Sequence, residues 1–366
     1  MPAPIFVVGT MRSGSTLLRL ILDSHDDIAI GEETGFAGGL AATRAIPGWR
    51  YGREWHHRLG WSDDELDDRL REFYSGMFER HALSQGKKRW GDKTPFHSWH
   101  MPDMARVFPD AVFVAIVRHP GAVVSSLRKR FHYGVQEAAD FWTSTNLEIL
   151  RNGIALGGDR FALCRYEDVV RQTEPTMRDL LDWLGEAWCD AVLRHQEVQA
   201  AKGAPRLVDG STSTRAPIDP DRAAAWRQGL GADEMAVLRD STGAVARFLG
   251  YDMDRDDLDE MVPGAAGPYR TILTGTSLAA RHGGWRPVLS LEPRTQGVVV
   301  ADMSVEDMAK RVAAAEASLA RIRSRPVVRA SDALRRTQRR LSLPTVAELR
   351  TFLRRALRVG RRRSRG

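Results

Sequence analysis

Apolar residues enter this chain in two rhythms. Ile5-Phe-Val-Val8 and Ala111-Val-Phe-Val-Ala-Ile-Val117 are short runs without a polar interruption, which predicts strands covered on both faces, as in a parallel sheet. Arg160-Phe-Ala-Leu-Cys164-Arg-Tyr166 reads as a further strand. Elsewhere apolar residues return every three or four positions, the spacing of a helix with one buried face. Leu17, Leu18, Ile21 and Leu22 follow the first strand, Val123, Val124, Leu127 and Phe131 follow the second, and Leu180, Leu181 and Leu184 follow the third. Leu66, Leu70, Phe73, Met77 and Phe78 keep the same spacing behind a Ser62/Glu65 capping box. Ile28 to Thr34 and Lys87 to Pro95 read as extended segments, residues 36–60 show no clean period, and a last amphipathic helix runs towards Phe248, Leu249, Gly250 and Tyr251. Strands alternating with helices predict an α/β domain of three layers around a central parallel sheet.

The pattern changes after residue 252. Residues 253–303 are rich in Gly and Pro and are expected to be a linker or added loop. In the final stretch, 304–366, an alanine-rich helix is predicted from Ser304 to about Arg323, and Val346, Leu349, Leu353 and Leu357 line one face of an arginine-rich segment. Charge divides at the same place. The chain carries +7 overall, but residues 321–366 hold sixteen arginines against Asp332 and Glu348, a net +14, so the first 320 residues carry −7. A main domain that is acidic gives no reason to expect nucleic acid as a partner. A basic amphipathic helix can lie on an anionic membrane or bind an acidic partner, or pack on the body as ordinary structure. No apolar run approaches a membrane span and the first strand begins at residue 4, which points to the cytoplasm, with peripheral contact at the inner membrane face open to the tail. Cys164 and Cys189 sit in apolar surroundings and read as core residues.

The chemistry concentrates where strands end. Gly9 to Thr16 reads G-x-x-x-x-G-S-T, a phosphate-cradling P-loop between a strand and a helix, with serine where nucleotide-hydrolysing forms have lysine. Glycines let the backbone wrap an anion while the next helix offers its positive end. Arg12 supplies the charge in place of the loop lysine. The second strong strand ends in Arg118-His119-Pro120 rather than in a metal-holding acid, and Ser125, Ser126, Arg128 and Arg130 follow on a helix. Two anion sites, neither built for a metal, suggest one ligand with two separated phosphate-type groups. Glu32 and Glu33 close the Ile28 segment; one of them can face the loop, and the residues alone do not say which. Lys93, ahead of Thr94-Pro95, can supply the missing cation or be a solvated lysine in a basic run. His97 and His100 read as scaffold, Tyr166 as a ligand contact or a packing residue, and 203–221 as a connection able to close over a nucleotide. Trp49, Tyr51, Trp55, His56, His57 and Trp61 make either an acceptor-side lid or a surface loop.

In their order along the chain these stretches resemble the sulfotransferases that use 3'-phosphoadenosine-5'-phosphosulfate (PAPS). The opening is most similar to the tyrosylprotein sulfotransferases and related bacterial enzymes. The resemblance rests on Pro4 to Gly9 with Arg12 to Thr16, Leu22 to His25, Gly31 to Thr34, Asp92 to Pro95, and Val117-Arg118 to Ser126, and it covers roughly residues 4–252. It implies a P-loop-NTPase-like fold and transfer of a sulfuryl group to an acceptor hydroxyl without a metal. Arg12, Ser13, Gly14, Ser15 and Thr16, with Leu17 beside them, would hold the 5'-phosphosulfate. Arg118, Ser126 and Arg130 would hold the 3'-phosphate, Tyr166 would lie near the nucleotide, and Ser211 or Ser213 would close on it. Glu33, rather than Glu32, is implied as the general base, with Lys93 and Arg12 as cations at the transferred group. Arginine follows the Gly-Glu-Glu-Thr motif in the tyrosylprotein enzymes, whereas Gly35 follows here and Gly39 stands at a second such position. A saccharide, glycolipid or small-metabolite hydroxyl is therefore expected ahead of peptidyl tyrosine. A metal-dependent kinase or NTPase, and a non-catalytic nucleotide-binding module with a partner-binding tail, are the competing expectations.

Overall fold

The computed structural model describes residues 2–44, 55–203, 207–208, 212–226, 229–251, 253 and 270–272. Five strands in chain order, β1 (Ile5–Gly9), β2 (Ile28–Ile30), β3 (Arg89–Lys93), β4 (Val112–Val117) and β5 (Phe161–Arg165), are followed by a two-stranded antiparallel pair, β6 (Leu207–Val208) and β7 (Thr212–Ser213), and by β8 (Arg270–Ile272). The main sheet has the order β2-β3-β1-β4-β5-β8 and all of its pairings are parallel. The helices are α1 (Ser15–Asp23), α2 (Phe36–Arg44), α3 (Trp55–Arg58), α4 (Asp63–Ser84), α5 (Met101–Val107), α6 (Pro120–Phe131), α7 (Val135–Leu156), α8 (Tyr166–Arg171), α9 (Thr173–Leu184), α10 (His195–Ala201) and α11 (Ala232–Phe248).

Alternation along β1 explains the layers. Ile5 and Val7 join Leu18, Ile21 and Leu22 of α1 and Leu180 and Leu181 of α9 in one core. Phe6 turns the other way into an aromatic cluster with Phe36, Trp90, Phe108 and Phe113, its ring centroids 5.4–5.7 Å from theirs. Both faces of the strand are dry, as the uninterrupted apolar run requires. Because β1 lies between β3 and β4, with Val7 opposite Lys93 and Gly9 opposite Ile116, the carboxyl ends of three neighbouring strands open onto one edge. That edge is where ligands gather in doubly wound sheets.

Several boundaries depart from expectation. Residues 36–44 form α2, hidden in the sequence by Gly38, Gly39 and a weak apolar period. Tyr166 does not end a strand; it opens α8. The Gly/Pro-rich region expected as linker contributes β8 to the sheet edge beside β5. The Ser62/Glu65 capping box forms as read, but of the α4 stripe only Phe78 is fully buried, while Phe73 and Met77 are exposed. Cys164 is buried in the core, where burial pushes its thiol up, and Cys189 is half-buried. Among the described residues no helix is long and apolar enough to cross a membrane. The helices expected in 304–366, like the rest of that extension, lie outside the described residues.

Candidate functional site

The loop between β1 and α1 is held open by two left-handed residues, Arg12 at φ 71° and Gly14 at φ 96°. A Cβ on Gly14 would lie 2.3 Å from the Tyr166 ring, so both conformation and close approach require glycine there. Ser13 N–H donates to Thr10 O at 3.0 Å and closes the turn. No side chain caps the start of α1, which leaves its first amides and the positive end of its dipole facing the cleft. The cleft, of about 230 Å³, is lined from this loop by Arg12, Gly14, Ser15, Thr16 and Leu17.

β3 brings the missing cation from beneath. Lys93, only 1 % exposed, donates from Nζ to Thr16 Oγ1 at 3.1 Å and is ion-paired with Glu33, whose side chain opens into the cleft. Of the two adjacent acids it is Glu33 that lines the cleft. Asp92 joins their supports: its carboxylate accepts from Thr34 Oγ1 at 2.7 Å and from Thr94 Oγ1 at 3.1 Å, and Thr94 Oγ1 in turn accepts from Gly35 N–H at 3.1 Å. Burial pushes the Asp92 carboxyl up to about 6, against the pull of those hydroxyls and of Lys93. His97 is buried, its Nδ1 3.2 Å from Asp92 but out of line for a hydrogen bond, and burial lowers it to about 3, so it is a neutral ring of the scaffold.

At the end of β4, Arg118 lies against the same loop. Its Nη1 donates to Arg12 O at 3.3 Å, its Nη2 to Arg222 O at 2.8 Å, and its guanidinium stands 4.0 Å over the Tyr166 ring. Its buried Nε has no hydrogen-bond partner. Arg12 Nε donates to Ser126 Oγ at 3.0 Å, which ties the loop to α6. Ser13 is buried within the loop, and Arg130 is exposed on α6 and does not line the cleft. Ser213 lines it, with its hydroxyl accepting from the amides of Arg215 and Ala216; Ser211 lies outside the described residues.

Sequence reasoning missed Arg222 and Asp219, which line the cleft just at or beyond the end of the expected closing segment, and Glu167, which is buried and accepts from His119 N–H at 3.0 Å and the Tyr251 hydroxyl at 2.9 Å. A strand end followed by Glu167-Asp168 was the available signal. It missed Phe96 and Phe131 as well, which line the cleft as exposed rings. Among the described residues one grouping has metal-type ligands, His56, His57 and Asp63; it lies where α3 meets α4 and not among the cleft residues.

The arrangement is thus an anion-binding loop met by a buried lysine and a carboxylate and, from the end of β4, by an arginine stacked over Tyr166. Residues 4–190 match the family model described as the sulfotransferase family. The chain belongs to the sulfotransferase family. It is similar to protein-tyrosine sulfotransferase 1 of Danio rerio, 31 % identical over 68 % of this chain and 72 % of that protein, and to protein-tyrosine sulfotransferase 2 of Gallus gallus, 30 % identical over 68 % and 69 %. Among solved structures, the sulfotransferase domain from the Synechococcus PCC 7002 olefin synthase has the same fold, at a TM-score of 0.50 and 24 % identity, covering 69 % of this chain and 97 % of that one. This sulfotransferase is therefore an enzyme of the PAPS-dependent class, which removes the kinase, NTPase and non-catalytic alternatives. The three-layer α/β fold expected from the sequence is the one observed.

Proposed function

We propose that the chain transfers the sulfuryl group of PAPS to an acceptor hydroxyl, without a metal, through Glu33 and Lys93. The observation that carries this reading is the position of Lys93 Nζ, bonded at once to Thr16 of the phosphate loop and to the Glu33 carboxylate. A base, a cation and an anion cradle meet in a single cleft. PAPS supplies the sulfuryl group and a leaving phosphate. Glu33 takes the proton from the acceptor oxygen as its bond to sulfur forms and the sulfur–phosphate oxygen bond breaks. Lys93, Arg12 and the first amides of α1 meet the negative charge that grows on the sulfuryl oxygens and the departing phosphate. Arg118 serves the 3'-phosphate, Ser126 holds Arg12 in place, and Tyr166 and Ser213 border the nucleotide. Most of the rate enhancement then comes from alignment and fixed electrostatics, by analogy with phosphoryl transfer.

The saccharide, glycolipid or small-metabolite acceptor expected from Gly35 and Gly39 has to be weighed against the names of the similar proteins, which are protein-tyrosine sulfotransferases. They favour a phenolic hydroxyl.

The test is calorimetric titration with 3'-phosphoadenosine-5'-phosphate (PAP) in EDTA, beside ATP with Mg²⁺. Tight binding of PAP in the chelator, lost in Arg118→Ala, supports the reading; binding of ATP that needs Mg²⁺, without binding of PAP, overturns it.

A further inference from the structure

Away from the cleft, three side chains with ligating atoms converge where α3 gives way to α4. His56 Nε2 lies 2.8 Å from Asp63 Oδ1, His57 Nε2 lies 3.0 Å from the same oxygen, and the three atoms are all within 4.8 Å of one another. The backbone sets this up. Leu59 N–H and Trp61 N–H both donate to His56 O, at 2.9 and 3.1 Å, and Gly60 turns through a left-handed φ of 82°. The chain doubles back and delivers the first turn of α4 against the two rings. Asp63 is not needed to cap that helix, because Ser62 and Glu65 already do so. Its other oxygen faces Arg106 Nη2 at 4.0 Å, while Nε of that guanidinium is bonded to Asp67 at 2.5 Å. Oδ1 thus serves the two imidazoles.

Two imidazoles and a carboxylate around one point are the ligand set of a borderline divalent cation. Ligands about 2.0–2.1 Å from Zn²⁺ stand about 3.3 Å apart at the corners of a tetrahedron. The present 2.8 and 3.0 Å need open only by a few tenths of an ångström to admit the ion. Mixed nitrogen and oxygen ligation selects Zn²⁺ and its transition-metal neighbours over Mg²⁺ and Ca²⁺, which take oxygen. The first turn of α4, Asp63, Asp64 and Glu65, is acidic and favours a cation beside it. Exposure is graded across the group: the His56 side chain is 3 % exposed, those of His57 and Asp63 are 46 % and 53 % exposed. His56 Nδ1 is buried without a hydrogen-bond partner, so the hydrogen bonding of this ring lies on its Nε2 side, towards the cluster. The buried ring fixes one corner, and the open side gives entry to the ion and room for water as a fourth ligand.

We propose that His56, His57 and Asp63 form a Zn²⁺ site that pins α3 to the first turn of α4. None of the three lines the cleft, so the ion takes no part in sulfuryl transfer and the assignment stands independently of that reading. Its effect is on stability: an ion held by the folded chain and not by the unfolded one favours the fold by mass action. Through Asp67, which accepts from Arg44 of α2 at 2.7 Å and from Arg106 of α5 at 2.5 Å, α4 carries the pin to the helices beside it.

The experiment uses the full chain without an affinity tag, stripped with EDTA and dialysed, and Zn²⁺ alone as the probe. Calorimetry is expected to show one ion per chain bound with Kd at or below about 10 μM, and not displaced by a large excess of Mg²⁺. His57→Ala and Asp63→Asn, both at exposed positions and shown to be folded by circular dichroism, each weaken binding at least about tenfold. Excess Zn²⁺ raises the Tm of the wild type by at least about 3 °C and leaves that of either variant unchanged. No binding at about 10 μM, displacement by Mg²⁺, a wild-type Tm that Zn²⁺ does not move, or affinity undiminished in both variants, as for adventitious histidines elsewhere on the surface, overturns the assignment.

Discussion

Thr34 and Asp92, 58 residues apart, are joined by a 2.7 Å hydrogen bond from Oγ1 to Oδ2. Their chain neighbours are Glu33 and Lys93, so this contact fixes the segment bearing the carboxylate against the strand bearing the cation. Thr94 adds a second link from the same carboxylate to Gly35. Misplacement of a reacting group by about 1 Å can cost on the order of 10²-fold in rate. Asp92→Ala is accordingly expected to lower kcat by about 10²-fold, with KM for PAPS changed less than about threefold; Asp92→Asn, which keeps one acceptor oxygen, recovers part of it. Steady-state kinetics on both variants, with circular dichroism to establish folding, checks this.

Gly14 combines a left-handed backbone with the Tyr166 ring against its Cα. Gly14→Ala is expected to destabilise the fold by at least about 1 kcal/mol and to weaken PAP binding, since the loop must shift to accommodate the methyl. The double variant Gly14→Ala/Tyr166→Ala removes the clash and keeps the backbone strain. Its PAP affinity is expected above that of a simple sum of the two single losses, read by calorimetry in a double-mutant cycle.

His195 provides a pH signature away from the cleft. Its ring is fully buried, neither nitrogen has a hydrogen-bond partner, and burial lowers it to about 4. Between that value and the ordinary histidine range the unfolded chain binds more protons than the folded one, so this residue makes stability rise with pH from about 4 to about 6.5. Buried Asp92 and Asp168, both pushed up to about 6, act in the opposite sense: the folded chain binds their protons more tightly, and stability falls as pH rises towards 6. A difference measurement isolates the histidine. Urea unfolding of the wild type and His195→Leu at pH 4.5 and 7 should show the wild type gaining more, by up to roughly 3 kcal/mol, between the two.

Much of the fold was legible because its strands are either wholly apolar or bounded by glycine and arginine. Ile5–Gly9 and Val112–Val117 needed no tertiary information, and Arg12, Glu33 and Arg118 line one cleft with Lys93 buried against its Thr16 and Glu33. The basic run before Pro95 was harder, because its residue types suggest a solvated segment. In the structure Lys87, Arg89 and Lys93 share one side of β3 and its approach, and each is buried on specific acceptors. Lys87 Nζ reaches Asp23 O, His25 O and Ile28 O at 2.5–2.8 Å, and Arg89 reaches Leu184 O and Glu186. Those acceptors come from other elements, so no local pattern announces them. Phe73 and Met77 fail in the other direction: helical spacing brings them onto one stripe of α4 but says nothing of whether another element covers it.

The central claim is that Lys93 and Glu33 carry metal-free sulfuryl transfer from PAPS. It is tested most directly by turnover with PAPS and 2-naphthol in EDTA, with product identified by mass, for the wild type, Lys93→Ala and Glu33→Ala. The account predicts an undiminished wild-type rate in the chelator and a loss of about 10²–10³-fold in each variant, with PAP still bound. Wild-type turnover abolished by EDTA and restored by Mg²⁺, or full activity in both variants, would contradict it.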